Sequence, residues 1–176
     1  MAENTRPPDQ IDLTFHRDRE RRLERSSRWL VLVTLTAISS LGLAGVFGQR
    51  VHTSTEAAAA ATFRVTAPHA LRSGLVFQGR FEIDARRAIE RPTLVLHRGW
   101  FESLTVNTLE PAPLEESSED GGVALEFGRL AAGQELTVYV QFQVNPTTVS
   151  RRSQDAELRD GDRTLARVER AITIYP

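Results

Sequence analysis

Cysteine is absent from the 176 residues, and so is lysine: all 22 basic residues are arginine. Without cysteine there is no disulfide framework, no thiolate nucleophile, no cysteine-based zinc site and no lipoprotein anchor. The arginine-only basic set is the codon imprint of a GC-rich genome rather than a physical requirement. An excess of one charge is lacking too, since the formal net charge is −1, which supplies no basic field for nucleic acid. No G-x-S-x-G elbow, phosphate-cradling glycine loop or dinucleotide fingerprint occurs. His16, His52, His69 and His97 fall at no metal-ligand spacing. The acids Glu115, Glu116, Glu119 and Asp120 lack the spacing of a calcium loop and read as a solvated, mobile loop. These absences point away from an enzyme, from a metal or cofactor protein and from a nucleic-acid binder.

What is present begins with one long apolar run. Residues 29–48, WLVLVTLTAISSLGLAGVFG, hold 20 residues without a charge, and at about 1.5 Å per residue they span roughly 30 Å, the thickness of a bilayer's hydrocarbon core. Arg28 bounds the run on one side and Gln49-Arg50 on the other, with Trp29 and Phe47 near the two ends. The expectation is a single transmembrane helix acting as an uncleaved signal anchor. A cleaved signal peptide is the rival reading, but its apolar region runs only about 7–15 residues before a small-residue cleavage site. Arg17, Arg21, Arg22, Arg25 and Arg28 crowd the N-terminal flank, so the positive-inside rule keeps that end cytoplasmic and sends residues beyond about 50 outside. Residues 1–28 then form an Arg-rich cytoplasmic tail, disordered at first and helical over 15–28. Within the span, Thr36, Ser40, Ala44 and Gly48 recur every four residues, a small-residue stripe suited to helix packing. Residues 49–62, with alanines from Ala57 to Ala61, read as a tether that is helical in part.

From Phe63 onward the period changes to two. Leu75, Phe77, Phe81 and Ile83 alternate with polar residues, and Leu136, Val138, Val140, Phe142 and Val144 alternate with Thr137, Tyr139, Gln141 and Gln143. Further strands are expected at 63–67, 93–97, 104–108, 122–127, 154–159 and 165–175, separated by turn signals such as Asp120-Gly121-Gly122 and Asp160-Gly161. Seven or eight short strands, each with one apolar face, predict an all-β domain over 63–176 built as an antiparallel β-sandwich. The stretch DGGVALEFGRLAAGQELTVYVQFQVNPTTVSRR, with its corner Gly128–Gly133 and its long strand ending at Pro146, resembles the Ig-like conserved-repeat domain of bacterial surface proteins. The resemblance covers residues 120–176 well and implies an Ig-like sandwich without catalytic residues. Ser150 stands where that family often has glycine. The whole chain also resembles single-pass membrane proteins of actinobacteria, which implies topology but no activity.

One segment stands out as a candidate interaction site. Gly99 breaks a strand, and the adjacent Trp100 and Phe101 cannot both point into one sheet face. Either one ring faces solvent, a partner or the membrane surface, or a bend tucks both into the end of the sandwich. The combined expectation is a non-enzymatic, single-pass membrane protein presenting an extracytoplasmic Ig-like β-sandwich as a protein-interaction or envelope structural module. The alternative is an accessory subunit of a membrane enzyme or transporter, contacting it mainly through the helix. Its partners are the membrane and a protein not identified by the sequence.

Overall fold

A computed structural model describes the backbone of residues 13–43 and 49–176, and the side chains of residues 27–43 and 49–176. The chain divides into two compact units, Met1–Gly48 and Gln49–Pro176.

The first unit contains helix α1, Leu13–Leu43. The Arg-rich segment and the apolar run therefore form one continuous helix rather than a short helix followed by a span. Residues 1–12 and 44–48 lie outside the described residues, and with them the end of the expected span, including Ala44 and Gly48. From Trp29 to Leu43 the described apolar part has 15 residues, roughly 22 Å at the helical rise. Among the described residues no helix is long and apolar enough to cross a membrane. Thr36 and Ser40 are exposed on α1, as are Trp29, Leu30, Val31, Leu32 and Leu43.

The second unit is all strand and turn apart from one 3-10 turn. Its first large sheet contains β1 (Val51–Ala57), β2 (Ala61–Pro68), β4 (Val76–Ala85), β9 (Glu135–Val144) and β6 (Leu104–Glu110), in the order β1-β2-β4-β9-β6. The second contains β12 (Arg163–Val168), β11 (Ala156–Asp160), β5 (Pro92–Leu96), β8 (Gly122–Glu126) and β7 (Glu115–Glu119), in that order. A small third sheet sets β13 (Ala171–Tyr175) between β10 (Ser150–Ser153) and β3 (Ala70–Arg72). All pairings are antiparallel except β13–β3, which is parallel.

The inner faces of both large sheets share one core. Phe63 and Val65 of β2, Phe81 and Ile83 of β4, Leu94 and Leu96 of β5, and Leu158 of β11 are all sealed from solvent. Each such side chain contributes about 1.5–3 kcal/mol through burial, and the result is a β-sandwich of two packed sheets. The expected register of β9 holds: Val138, Val140, Phe142 and Val144 are buried, Leu136 is half-buried against the core, and Tyr139 is exposed. In β4, Phe77, Phe81 and Ile83 point inward as expected, but Leu75 precedes the strand and is exposed.

Four parts of the expected layout change. Residues 51–57 are not a tether but edge strand β1, paired in register with β2 from Val51↔Pro68 to Ala57↔Thr62. The alanines made helix plausible, yet Ala61 is the first core residue of β2, and Ala58–Ala60 turn the hairpin. The acidic stretch is not a loop: Glu115–Glu119 form β7, closed onto β8 by Asp120 and Gly121. Both of those residues have positive φ, the geometry that a two-residue hairpin turn of right-handed twist requires. The expected strand 165–175 splits into β12 and β13, which belong to different sheets. With the short strands β3 and β10, also not expected, the strands number thirteen among the described residues, not seven or eight.

Candidate interaction surface

Between β5 and β6 the chain makes a 3-10 turn, Arg98–Trp100. Gly99 is required there because a Cβ would overlap the carbonyl oxygen of Ser153. At this close approach Trp100 turns inward, which decides between the two alternatives left open for this ring. Trp100 is wholly buried, and its indole Nε1 donates to the carbonyl of Asp155 at 3.1 Å. Its ring meets Phe81 edge-on at 5.1 Å and Phe142 at 5.3 Å. Phe101 is half-buried and packs against the same core. The bend thus tucks both aromatics into the sandwich, and neither is a free-standing interface anchor.

Arg170, on the connection between β12 and β13, lies over the Trp100 ring, with its guanidinium carbon 5.1 Å from the ring centroid. Its Nη1 donates to Gln154 Oε1 at 2.9 Å, and Nη2 donates to the carbonyls of Ala67 and Pro68 at 3.0 and 2.7 Å. Burial pulls its pKa down to about 10, so the group stays charged at neutral pH. Among the described residues no carboxylate pairs with it. The signal for this residue was in the sequence. Arg170 stands in phase with the buried Ala166, Val168, Ile172 and Ile174, a charge at an inward position of an alternating run.

Beside this hub, the acids are already engaged. Asp155 Oδ2 lies 3.3 Å from Arg167 Nη2, and its Oδ1 accepts from the backbone N–H of Arg170. Glu157 is buried and receives His97 Nε2 at 3.1 Å, Arg159 Nη2 at 2.8 Å and Arg167 Nη1 at 3.2 Å. Burial alone would raise the Glu157 pKa, but the Arg159 hydrogen bond and charge, joined by His97, hold it below the usual carboxylate value. Burial likewise pushes Asp155 up, and hydrogen bonds from Ser153, the Arg170 backbone and Arg167 outweigh it. Arg159 is raised by its bond to Glu119, 2.8 Å away, and by Glu157. His97, one of the scattered histidines, is thus a hydrogen-bonding member of this network. His52 and His69 meet edge to face at 6.0 Å. Among the described residues no group of three or more His, Asp or Glu is placed to hold a metal.

A shallow cleft of about 550 Å³ opens next to the hub, lined by Arg151, Arg152, Ser153, Asp155, Glu169 and Arg170. Its two acids are turned toward Arg167, which lies 3.8 Å from Glu169. Its three arginines have no carboxylate partner among the described residues. Arg152 donates through Nε and Nη2 to Ser150 Oγ, while its Nη1 is buried without an acceptor, as is Nε2 of Gln154. Both of these atoms are closed to solvent, whereas the cleft itself offers arginine N–H groups that no carboxylate meets among the described residues. The side chains of Arg17, Arg21, Arg22 and Arg25 lie outside the described residues; Arg28 is exposed on α1.

No family model matches the chain, and no curated protein matches it. One solved structure similar to it is the CARDB domain of the PF1109 protein from Pyrococcus furiosus, determined in complex with di-metal ions. The two share 7% identity at a TM-score of 0.37, over 72% of this chain and 94% of that one.

Proposed function

We propose that this chain is a non-enzymatic, single-pass membrane protein that presents an Ig-like β-sandwich outside the membrane as a protein-interaction module. The observation that carries the interaction reading is the cleft's three arginines, Arg151, Arg152 and Arg170, none of which has a carboxylate partner among the described residues, beside acids that face Arg167. The anchor reading rests on the uncharged run 29–48, with arginines concentrated before it. It is supported by the apolar side chains that α1 leaves uncovered, from Trp29, 65% exposed, to Leu43, 91% exposed. Such a surface is costly in water and at home in lipid.

A photoreactive residue in place of Arg151, expressed in the full chain in its native cells, tests the cleft. A discrete adduct at this position, lost on adding Arg152→Glu, is the expected result. The same adducts at Gly133, in the exposed corner of the sandwich, would overturn it. For the anchor, alkaline phosphatase fused after Pro176 should be active and a cytoplasmic reporter silent. A second reading, an accessory subunit held through the helix, draws on Thr36 and Ser40, which present small polar side chains one turn apart on exposed α1. Copurification of a multi-spanning partner with residues 1–50 alone would favour it.

A further inference from the structure

The two five-stranded sheets have four edges, and three of them carry a feature that discourages pairing with another chain. β7 presents Glu115, Glu116 and Glu119. β12 presents Arg163 and Arg167, and its pairing with β11 shifts register after Leu158. β6 shifts register against β9 between Val106 and Thr108. Charges and bulges of this kind are how edge strands avoid adding a neighbour. The fourth edge, β1, has no bulge and a single carboxylate, Glu56, against the three of β7. It pairs only with β2, without a register shift, and contains no proline and no arginine. Apart from half-buried Ser54, its seven residues are exposed.

We infer that β1 is the seat of a homodimer, in which β1 strands of two copies pair antiparallel about Ser54 and join two sheets into one of ten strands. This goes beyond the cleft, which uses different strands, and stands or falls separately from it. The sequence of β1, VHTSTEA, is complementary to itself in that register. A two-fold axis at Ser54 sets Val51 opposite Ala57 of the second copy, His52 opposite Glu56, and Thr53 opposite Thr55. His52, Ser54 and Glu56 lie on one face of the strand. Each interface therefore gains two histidine–carboxylate pairs, one on either side of the axis, and two threonine pairs on the opposite face, the kinds of cross-strand pair that stabilise sheets. A slip by one residue would face β1 with His52 against Thr55 and lose both histidine–carboxylate pairs. The available backbone donors and acceptors of the edge supply affinity, and these pairs supply register.

The absence of cysteine makes the test clean. In the full chain, purified in mild detergent, Ser54→Cys alone, and a co-expressed mixture of Thr53→Cys with Thr55→Cys chains, place thiols across the proposed axis. Adjacent cross-strand positions alternate between close and wide pairs, so one of the two arrangements meets disulfide geometry. The expected result is a disulfide-linked dimer from at least one arrangement, with Thr53→Cys alone at least fivefold less efficient than the Thr53/Thr55 mixture. In the linking background, His52→Glu should lower dimer formation at least fivefold, and adding Glu56→His should restore it. Linking no better than that of Ser118→Cys on β7 would overturn the inference. So would equal linking at every position of β1, which would mean that the helices alone bring the copies together, and so would failure of the swapped pair to restore dimers.

Discussion

The indole of Trp100 packs against two phenyl rings and a guanidinium, and its N–H donates to a carbonyl. Trp100→Ala should cost about 3–5 kcal/mol of domain stability. Trp100→Phe keeps most of the ring contacts but strands the Asp155 carbonyl, for about 1–3 kcal/mol; urea unfolding followed by circular dichroism separates the two. The acids beside this hub predict the acid limb of stability. Asp155 and Glu157 titrate below their ordinary values of 3.8 and 4.5 in the folded domain. The unfolded chain therefore binds protons first. The stability these groups contribute is complete above the unfolded values and is lost as pH falls through the lowered folded ones. Unfolding midpoints measured from pH 6 down to pH 3 should drop steeply in the parent domain. In Glu157→Gln the drop should be shallower, from a lower starting stability, because Arg159 and Arg167 lose a buried carboxylate.

At the scale of elements, β9 was the most legible part of the chain, since five apolar residues at period two can be satisfied by only one register against a shared core. Phe142→Ala should cost about 3–5 kcal/mol, and Tyr139→Ala, on the exposed face, within about 0.5 kcal/mol; equal losses at both would contradict the register. Gly99→Ala should destabilise by several times the surface figure, because its methyl group meets backbone at Ser153 rather than a side chain that can swing away; a melting temperature within a degree of the parent would refute this. Other elements were hidden for identifiable reasons. Residues of β1 carry almost no apolar signal because an edge strand buries little. The acids of β7 are on a two-residue hairpin whose Asp120-Gly121 turn was visible but whose polar outer strand was not. Trp100 was legible as a special residue but its direction was not, because the backbone at Gly99 lies against a carbonyl of Ser153, more than fifty residues further on. Arg170 breaks an alternating pattern in plain view, yet only the fold brings it over Trp100.

For the whole molecule, the boundary of the folded domain lies at residue 49 rather than 63. Residues 49–176 alone should therefore give a cooperative all-β unfolding transition. A shorter chain beginning at residue 60 removes β1 and uncovers the edge of β2 beside the buried Phe63, Val65 and Ala67. It should melt at a lower temperature and aggregate during gel filtration. Equal melting temperatures for the two would return β1 to the role of a tether.

The parallel pairing of β13 with β3 sets a clock on this domain. Thr173, Ile174 and Tyr175 lie against Ala70, Leu71 and Arg72, roughly a hundred positions earlier, a separation of the kind that slows folding because the loop must close before the contact rewards it. Ile172 and Ile174 are sealed within the core, so the sandwich lacks part of its interior until the last strand in chain order has been synthesised. A nascent chain therefore reaches the domain's final stability only once β13 has been made. Until β13 docks, the β1 edge can meet neighbouring chains while part of the core behind it is still open.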